Sequence, residues 1–261
     1  MKITFSKIGA IAWYELKMQW RQRGTIVMML SMLVATLAPI GFIMAESGGG
    51  NGGDGMALKS AISLTWSPIG IVLALLMPLL SAATIPRDRQ LGVRELLDST
   101  PLNYGTYLLG KVIGSWLAIS VGIAGIALLA GIGWWLIIGS YNVLEYMEPW
   151  LVAALPIIMI NIGIIILLAA HQSDGRHAVL VAIFFVVVLP MLLGLQSKGD
   201  WRDALNPLRP ALFFEYIDVS TINETIQLKL LPISTTILTG FVQLGVVGIG
   251  AWGWQRLKER P

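Results

Sequence analysis

The sequence contains no cysteine and only two histidines, and long stretches of it contain no charged residue. The absence of cysteine excludes disulfide bonds, thiolate metal sites and thiol catalysis. No GxxxxGK[ST] phosphate-binding loop occurs, so the chain cannot be its own P-loop ATPase. The net charge is +3 and the pI is near 9.2. Since no basic cluster interleaved with aromatic residues accompanies this charge, we do not expect nucleic-acid binding.

Six charge-free stretches of at least 20 residues each are the main feature of what is present. A helix needs about 20 apolar residues to cross the hydrocarbon core, where a charge costs several kcal/mol. The hydrophobic fraction of 56% and the mean hydropathy of +0.74 agree with this. The sequence therefore predicts an all-α membrane protein, a single transmembrane domain over 1–261. The expected spans are 24–45, 60–86, 112–139, 150–172, 178–197 and 231–254.

The basic residues are distributed unevenly between the two faces that six spans define. Thirteen lie on the face that carries both termini and five on the other. Under the positive-inside rule both termini are expected in the cytoplasm. The first span comes after five basic residues and is not followed by a small-residue cleavage site. We therefore interpret it as a span that is retained and not as a signal peptide. We expect a multi-pass protein of the cytoplasmic (inner) membrane of a prokaryote.

Residues 5–23 precede the first span and have an amphipathic helical pattern. At 100° per residue, one side carries mainly apolar residues and the other is basic. A helix of this kind lies in the headgroup plane with its basic side toward anionic lipid. We therefore expect an interfacial helix. The apolar side consists of Phe5, Ala12, Trp13, Leu16 and Trp20, and the basic side of Lys7, Lys17 and Arg21.

The polar and small residues of the spans suggest packing more than chemistry. Small residues at four-residue spacing allow another helix to approach the third span closely. Two amides lie deep, Asn161 in the fourth span and Gln243 in the sixth; they either pair across helices or line a translocation path. The helix-packing stripe consists of Gly110, Gly114, Ala118 and Gly122.

His171, Asp174 and His177 lie together in the short inner loop between the fourth and fifth spans. Two imidazoles and a carboxylate are metal-ligand types, but Gly175 interrupts any regular helical face and no further ligand is evident. We expect a solvated loop or a docking contact and no metal. No Asp, Glu, Lys or Arg lies within the charge-free runs, which disfavours an ion-driven carrier and an intramembrane hydrolase. The sequence predicts a protein without a catalytic site of its own.

The longest inner connection reads RDRQLGVRELLDSTPLNYGTYLLGK over residues 87–111. Its order of features resembles the ABC-2 family of ABC-transporter permeases: an acidic-basic stretch, a glycine, Glu-Leu-Leu, Thr-Pro, and Leu-Gly-Lys at the start of the third span. The layout of an amphipathic helix, two spans, this segment, three spans, an outer elaboration and a sixth span is also similar. The matching residues are Asp88, Gly92, Glu95, Leu96, Leu97, Pro101, Leu109, Gly110 and Lys111.

The resemblance implies the architecture of a type V exporter-like permease, in which segment 87–103 is a coupling helix that docks on a separate ATPase subunit. It implies a second permease copy or a similar permease as partner. ATP and Mg are expected on the ATPase subunit, and no cofactor on this chain. A second, smaller contact with the ATPase is implied at His171 and Asp174. The implied coupling residues of the main segment are Arg87, Asp88, Arg89, Arg94, Glu95 and Leu97.

Two other function classes are compatible with the sequence. The outer segment 198–229 is too long and too polar for a simple turn, and it would suit a non-transporting membrane scaffold or assembly factor that holds an extracytoplasmic partner. An ATP-independent carrier or channel is the other class, although the lack of charge within the spans disfavours it. The substrate does not follow from the sequence, and export is implied by the resemblance alone.

Overall fold

The structure is a computed structural model that describes residues 2–47, 54–93, 104–172 and 174–188 and the isolated positions 245 and 249. All regular elements of these residues are helical, which confirms the predicted all-α class for the described part of the chain. The predicted outer segment 198–229, the end of the predicted fifth span and all but two positions of the predicted sixth span lie outside it. The α-helices are α1 (Lys2–Arg21), α2 (Arg23–Ser47), α3 (Asp54–Ser81), α4 (Thr84–Gln90), α5 (Tyr104–Ile138), α6 (Val143–Glu148), α7 (Leu155–Ala170) and α8 (Gly175–Ile183).

Helices α1 and α2 follow one another along α5 in the same direction. Near the start of α5, Gly110 lies against Ile11 of α1; near its end, Gly133 lies against Ile40 of α2. The 35 residues of α5 give it a length of about 52 Å at 1.5 Å per residue. It is therefore much longer than the roughly 30 Å hydrocarbon core. Helix α1 packs on its first half and α2 on its second.

The packed face of α1 differs from the predicted one. Ala12, Glu15 and Gln19 are buried, whereas the side chain of Trp13 is 66% exposed and that of Trp20 is 49% exposed. The reason is that the polar groups of Glu15 and Gln19 find partners on other helices, and buried polar groups need such partners. Polar pairing, and not the apolar side, sets the orientation of this helix.

The predicted span 60–86 is divided between two helices. Helix α3 ends at Ser81, residues 82–83 form a turn, and α4 occupies Thr84–Gln90. Helix α4 stops because Gly92 adopts a left-handed conformation with φ of 71°, and its N–H donates to the carbonyl of Arg89 at 3.1 Å. Such glycines end helices because they carry no Cβ. The predicted coupling segment 87–103 thus begins inside α4, and its residues 94–103 lie outside the described part.

Residues 143–170 form one continuous helical segment that contains a π-helical turn at Pro149–Ala154. Pro149 and Pro156 lack an N–H and cannot complete the usual i→i−4 bonds, which places the irregular turn between them. Helix α8 starts after Asp174, whose carboxylate accepts a hydrogen bond from the N–H of Arg176 at 3.3 Å. A second π-helical turn, Phe184–Val188, extends α8.

The core of the described bundle lies around α3, which contacts α2, α5, α7 and α8. Because its side chains meet apolar surfaces from several sides, α3 carries some of the most deeply buried large residues of the chain. Burying each of these contributes about 1.5–3 kcal/mol in the transfer from water. The largest fully buried core residues include Met28, Met32, Trp66, Leu73, Met77, Ile119, Ile123, Ile158 and Ile162.

A hydrogen-bonded aromatic group joins α3, α5 and α6 at the end of α5 that is distant from α1. The hydroxyl of Tyr146 donates to the carbonyl of Ala127 at 2.9 Å and lies 3.2 Å from the hydroxyl oxygen of Thr65. Thr65 also accepts from the indole of Trp134 at 2.9 Å, and the indole of Trp66 donates to the carbonyl of Tyr146 at 3.1 Å. Burial raises the pKa of the Tyr146 hydroxyl. These bonds fix α6 against the bundle.

Two of the described helical stretches are long and apolar enough to cross a membrane, Arg23–Gly41 of α2 and Tyr104–Ile138, which is α5. Their outward faces are apolar as well as their buried ones. Contiguous exposed apolar surface on this scale is rare on soluble monomers. The exposed positions include Ile26, Val27, Leu30, Val34 and Leu37 on α2, and Val121, Leu128, Leu129, Ile132, Trp135 and Leu136 on α5.

Candidate functional site

Three charged side chains from three helices meet in the interior of the described bundle. The Nζ of Lys111 on α5 lies 2.5 Å from Oε2 of Glu15 on α1 and 2.7 Å from Oδ2 of Asp88 on α4. The three side chains are 6%, 1% and 10% exposed, respectively. Since an unpaired buried charge costs several kcal/mol, the three groups are mutually dependent. We call Glu15, Asp88 and Lys111 the charged triad.

Gln19 connects the α1 side of the triad to the other two helices. Its Nε2 donates to Oε1 of Glu15 at 3.0 Å, one turn earlier on α1. The same nitrogen lies 3.4 Å from the hydroxyl oxygen of Ser115 on α5 and 3.5 Å from that of Thr84 on α4. Gln19 is 1% exposed, so these groups are its polar surroundings. One amide thus touches all three helices.

Tyr107 completes the α4 side of the triad. Its hydroxyl donates to Oδ2 of Asp88, and Lys111 Nζ lies 5.8 Å from the centre of its ring. An ammonium at this distance from an aromatic face is attracted by the ring. Each of the three charged groups therefore has two polar partners: Lys111 and Gln19 for Glu15, Lys111 and Tyr107 for Asp88, and the two carboxylates for Lys111.

Helical spacing explains why the sequence assembles this group. Residues four apart lie on the same face of a helix. Each of the three helices contributes polar residues at that spacing, so three polar stripes converge. The sequence contains this signal, but from the sequence we assign Asp88 and Lys111 through the family resemblance alone and do not connect them with Glu15 or Gln19. The stripes are Glu15 and Gln19 on α1, Thr84 and Asp88 on α4, and Tyr107, Lys111 and Ser115 on α5.

Glycines on α5 allow α1 to approach the triad. A Cβ on Gly114 would lie 2.5 Å from the carbonyl oxygen of Ala12 and 2.5 Å from Cβ of Glu15. A Cβ on Gly110 would lie 2.6 Å from Cγ2 of Ile11. Real Cβ atoms do not come this close to backbone, so a side chain at Gly114 would displace α1. Three members of the predicted helix-packing stripe, Gly110, Gly114 and the buried Ala118, lie where α1 meets α5. The fourth member, Gly122, lies against Met29 of α2.

Arg89 anchors α4 at a second point. Its guanidinium donates to the carbonyl of Gln172 at 2.9 Å and to the carbonyl of Ala170, at the end of α7. A cation is favourable there because the last carbonyls of a helix are unsatisfied and carry partial negative charge. Asp88 and Arg89 therefore fasten one short helix to α5 and α7 simultaneously.

The two histidines do not belong to the triad: His171 follows the last residue of α7, and His177 lies in the first turn of α8. The Nδ1 of His171 lies 2.9 Å from the carbonyl oxygen of Leu167. His177 is a separate, exposed group whose Nδ1 lies 3.4 Å from Oδ2 of Asp174. In the described part of the chain, no group of three His, Cys, Asp or Glu residues is placed to hold a metal ion.

The other predicted site residues lie in different surroundings. Arg87 is exposed on α4. Asp88, which the resemblance implies is partner-facing, instead faces inward because its carboxylate pairs with Lys111. Asn161 is 1% exposed, and its amide has no hydrogen-bond partner among the described residues. Arg94, Glu95, Leu97 and Gln243 lie outside the described part.

The geometry is suited to holding helices in register. Each group of the triad is paired with a group of opposite charge and is at most 10% exposed, so none of the three is a free nucleophile or proton donor at an accessible surface. Moving any one of the three helices would separate ions in a low-dielectric interior, which is costly. The triad therefore makes α1, α4 and the first half of α5 move as a unit. In comparison with known proteins, the chain matches no protein-family model and no curated protein sequence.

Proposed function

We propose that this chain is the membrane-embedded permease subunit of an ATP-driven transporter, an exporter of the ABC-2 type. It would work with a second permease, either another copy or a similar chain, and with cytoplasmic ATPase subunits that bind ATP and Mg. The proposal rests on the family resemblance of segment 87–111 and on one structural observation, the double attachment of α4 to α5 and α7.

Membrane placement is supported by the apolar outward faces of α2 and α5. In water, such faces would attract other apolar surfaces, whereas a bilayer covers them at no cost. The charge-free run begins at Gly24, directly after Arg21 and Arg23. We infer that the cytoplasmic edge of the hydrocarbon lies near this point.

The same edge divides α5. The indole of Trp20 donates to the carbonyl of Ala118 at 3.1 Å, so the α1–α2 junction lies beside residue 118 or shortly after it. Residues 119–138 then span about 30 Å, one hydrocarbon thickness, and residues 104–118 extend about 22 Å beyond it. With the edge at this level, the charged triad would lie on the cytoplasmic side, where buried charge is less costly than at mid-bilayer.

Coupling is supported by the position of α4. The helix leads directly into segment 94–103, the part that would meet an ATPase, and is fixed to α5 through Asp88 and to α7 through Arg89. A movement of this segment would therefore be transmitted through α4 to α5 and α7, because buried ion pairs and closely packed helices do not deform gradually. Because the sequence contains no P-loop, ATP-driven transport by this chain would take its energy from an ATPase on another chain.

The proposal is tested by purifying the tagged chain from membranes of its source organism in mild detergent. We expect a P-loop ATPase to co-purify in fixed ratio and the complex to hydrolyse ATP. A chain that purifies without an ATPase, together with loss of an extracytoplasmic partner on deletion of 198–229, would favour the scaffold function. Uptake or efflux that persists after ATP depletion would favour an ATP-independent carrier.

A further inference from the structure

A cavity of about 590 Å³ lies at the junction of α1 and α2, next to α4. Its size is within the range of about 300–1,000 Å³ that is usual for small-ligand sites. Among the described residues, four basic side chains line it and no acidic side chain does. We call it the basic cavity. Its polar lining consists of Tyr14, Lys17, Arg21, Gln22, Arg23 and Arg87.

The four cations of the basic cavity have no counter-charge in the described structure. None of them takes part in the ion pairs that join Lys111 to Glu15 and Asp88 and His177 to Asp174. Lys17, Arg21, Arg23 and Arg87 make no ion pair and no side-chain hydrogen bond with described residues. Like charges that line one cavity repel each other, and an anion between them relieves the repulsion. The cavity thus has the electrostatics of an anion site.

The position of the cavity indicates which anion. The charge-free run of α2 starts at Gly24, which itself lines the cavity. In the placement inferred above, the cavity therefore lies at the cytoplasmic headgroup level. Trp13 and Tyr14 are exposed on the adjoining helix, 66% and 77% respectively, and such aromatic residues are typical of the membrane interface.

We propose that the basic cavity binds the phosphate of an anionic phospholipid headgroup. Guanidinium groups match phosphate oxygens with paired donors, and Lys17 adds a flexible point charge. Basic pockets on the cytoplasmic side of membrane helices are suited to such headgroups. The lipid would occupy the junction between the anchored helix α1 and the span α2. This role goes beyond transport and would hold equally for a scaffold, although it rests on the same membrane placement.

The test measures lipid binding to the purified full-length chain alone, without any ATPase. Native mass spectrometry of the detergent-solubilised chain would compare phosphatidylglycerol with phosphatidylcholine of the same acyl chains. We expect tighter binding of phosphatidylglycerol. Because a basic residue at the membrane surface contributes about 1 kcal/mol to anionic-lipid binding, Arg21→Gln and Arg87→Gln should each weaken it about fivefold, and the double variant about 25-fold.

The matched control is Arg176→Gln, which removes an exposed arginine that is not among the residues lining the cavity. We expect it to bind like the unmodified chain, and Arg21→Lys to retain most of the affinity because its charge is kept. Equal affinity for both lipids, or an equal loss in Arg176→Gln and the cavity variants, would overturn the proposal. Displacement of the lipid by millimolar inorganic phosphate would also overturn it and assign the cavity to a soluble phosphate ligand. Size-exclusion profiles would verify that each variant is folded.

Discussion

Replacing Lys111 by methionine should destabilise the protein strongly at neutral pH and only slightly in acid. The substitution keeps all but the last atom of the side-chain length and leaves the carboxylates of Glu15 and Asp88 without their shared cation. These side chains are 1% and 10% exposed, so water cannot replace the lysine without opening the bundle. Breaking a buried ion pair in this way typically costs about 3–5 kcal/mol.

The pH dependence follows from the way the variant can relieve the strain. A carboxyl that must take up a proton to remain buried costs about 1.36 kcal/mol for each pH unit above its ordinary pKa. For glutamic acid, with an ordinary pKa near 4.3, this is about 3.7 kcal/mol at about pH 7 and about 1 kcal/mol at about pH 5. The folded variant binds an extra proton that the unfolded chain releases, so its stability rises as the pH falls.

The measurement is the free energy of unfolding in mixed micelles, obtained by SDS titration with the fluorescence of the 10 tryptophans as the signal. Lys17→Met is the matched control: the same chemical change at an exposed lysine of α1, with an expected effect within about 0.5 kcal/mol. Glu15→Gln combined with Lys111→Met should recover part of the loss, because only one carboxylate remains. A Lys111→Met variant as stable as Lys17→Met, or with a defect independent of pH, would refute the triad as described.

Two further predictions concern the contact of α5 with α1 and the contact of α6 with the bundle. Gly114→Ala should lower the free energy of unfolding by about 1–3 kcal/mol, because its Cβ would lie 2.5 Å from the backbone of α1. Gly125→Ala, whose Cβ would have nothing within 4 Å, should leave the free energy of unfolding unchanged or raise it by up to about 1 kcal/mol. Equal stability of the two variants would contradict the close packing of α1 on Gly114. Tyr146→Phe should lose about 1–2 kcal/mol of unfolding free energy with its two hydrogen bonds. Burial raises the pKa of Tyr146, so the folded chain keeps its proton above about pH 10 while the unfolded chain loses it; stability should fall with rising pH by up to about 1.4 kcal/mol per unit more than in Tyr146→Phe, and parallel curves would argue against burial of the hydroxyl.

The helical nature of the chain could be predicted from its charge-free runs, because the length and apolar character of a segment are local properties. The boundaries of the helices could be predicted less well from the sequence. The run that ends at Pro86 is continuous in composition, yet the chain turns at residues 82–83 before α4. The end of α4 depends on the left-handed conformation of Gly92. The neighbouring residues in the sequence QLGV allow this conformation but do not require it.

The charged triad could not be predicted by treating each helix separately. Glu15 and Gln19 look like polar interruptions of an amphipathic helix, and Lys111 looks like the end of a charged loop. Only tertiary packing brings them to Asp88, and burial changes them from solvated groups into a mutually dependent set. The four-residue spacing on three helices was the available signal. It specifies polar faces but not which faces meet.

In the proposed function, α4 connects the docking segment 94–103 mechanically to the spans. Helix α4 is attached to α5 by Asp88 and to α7 by Arg89, and α5 carries α1 and α2 along its length. In the proposed placement, the triad lies just outside the hydrocarbon and the basic cavity lies at its edge. A partner that moves segment 94–103 would therefore act on the spans at the point where they leave the membrane.

The central claim, that a separate ATPase docks on this segment, is tested most directly by cross-linking. The chain has no cysteine, so Leu97→Cys supplies a single thiol in the proposed docking segment, and Leu144→Cys, 75% exposed beyond the opposite end of α5, supplies the control. We predict that a thiol-to-amine cross-linker in native membranes joins the cysteine at position 97 to a P-loop ATPase, and that the cysteine at position 144 gives no such product. Failure of position 97 and also of Arg94→Cys, in membranes where both chains are present, would contradict the account.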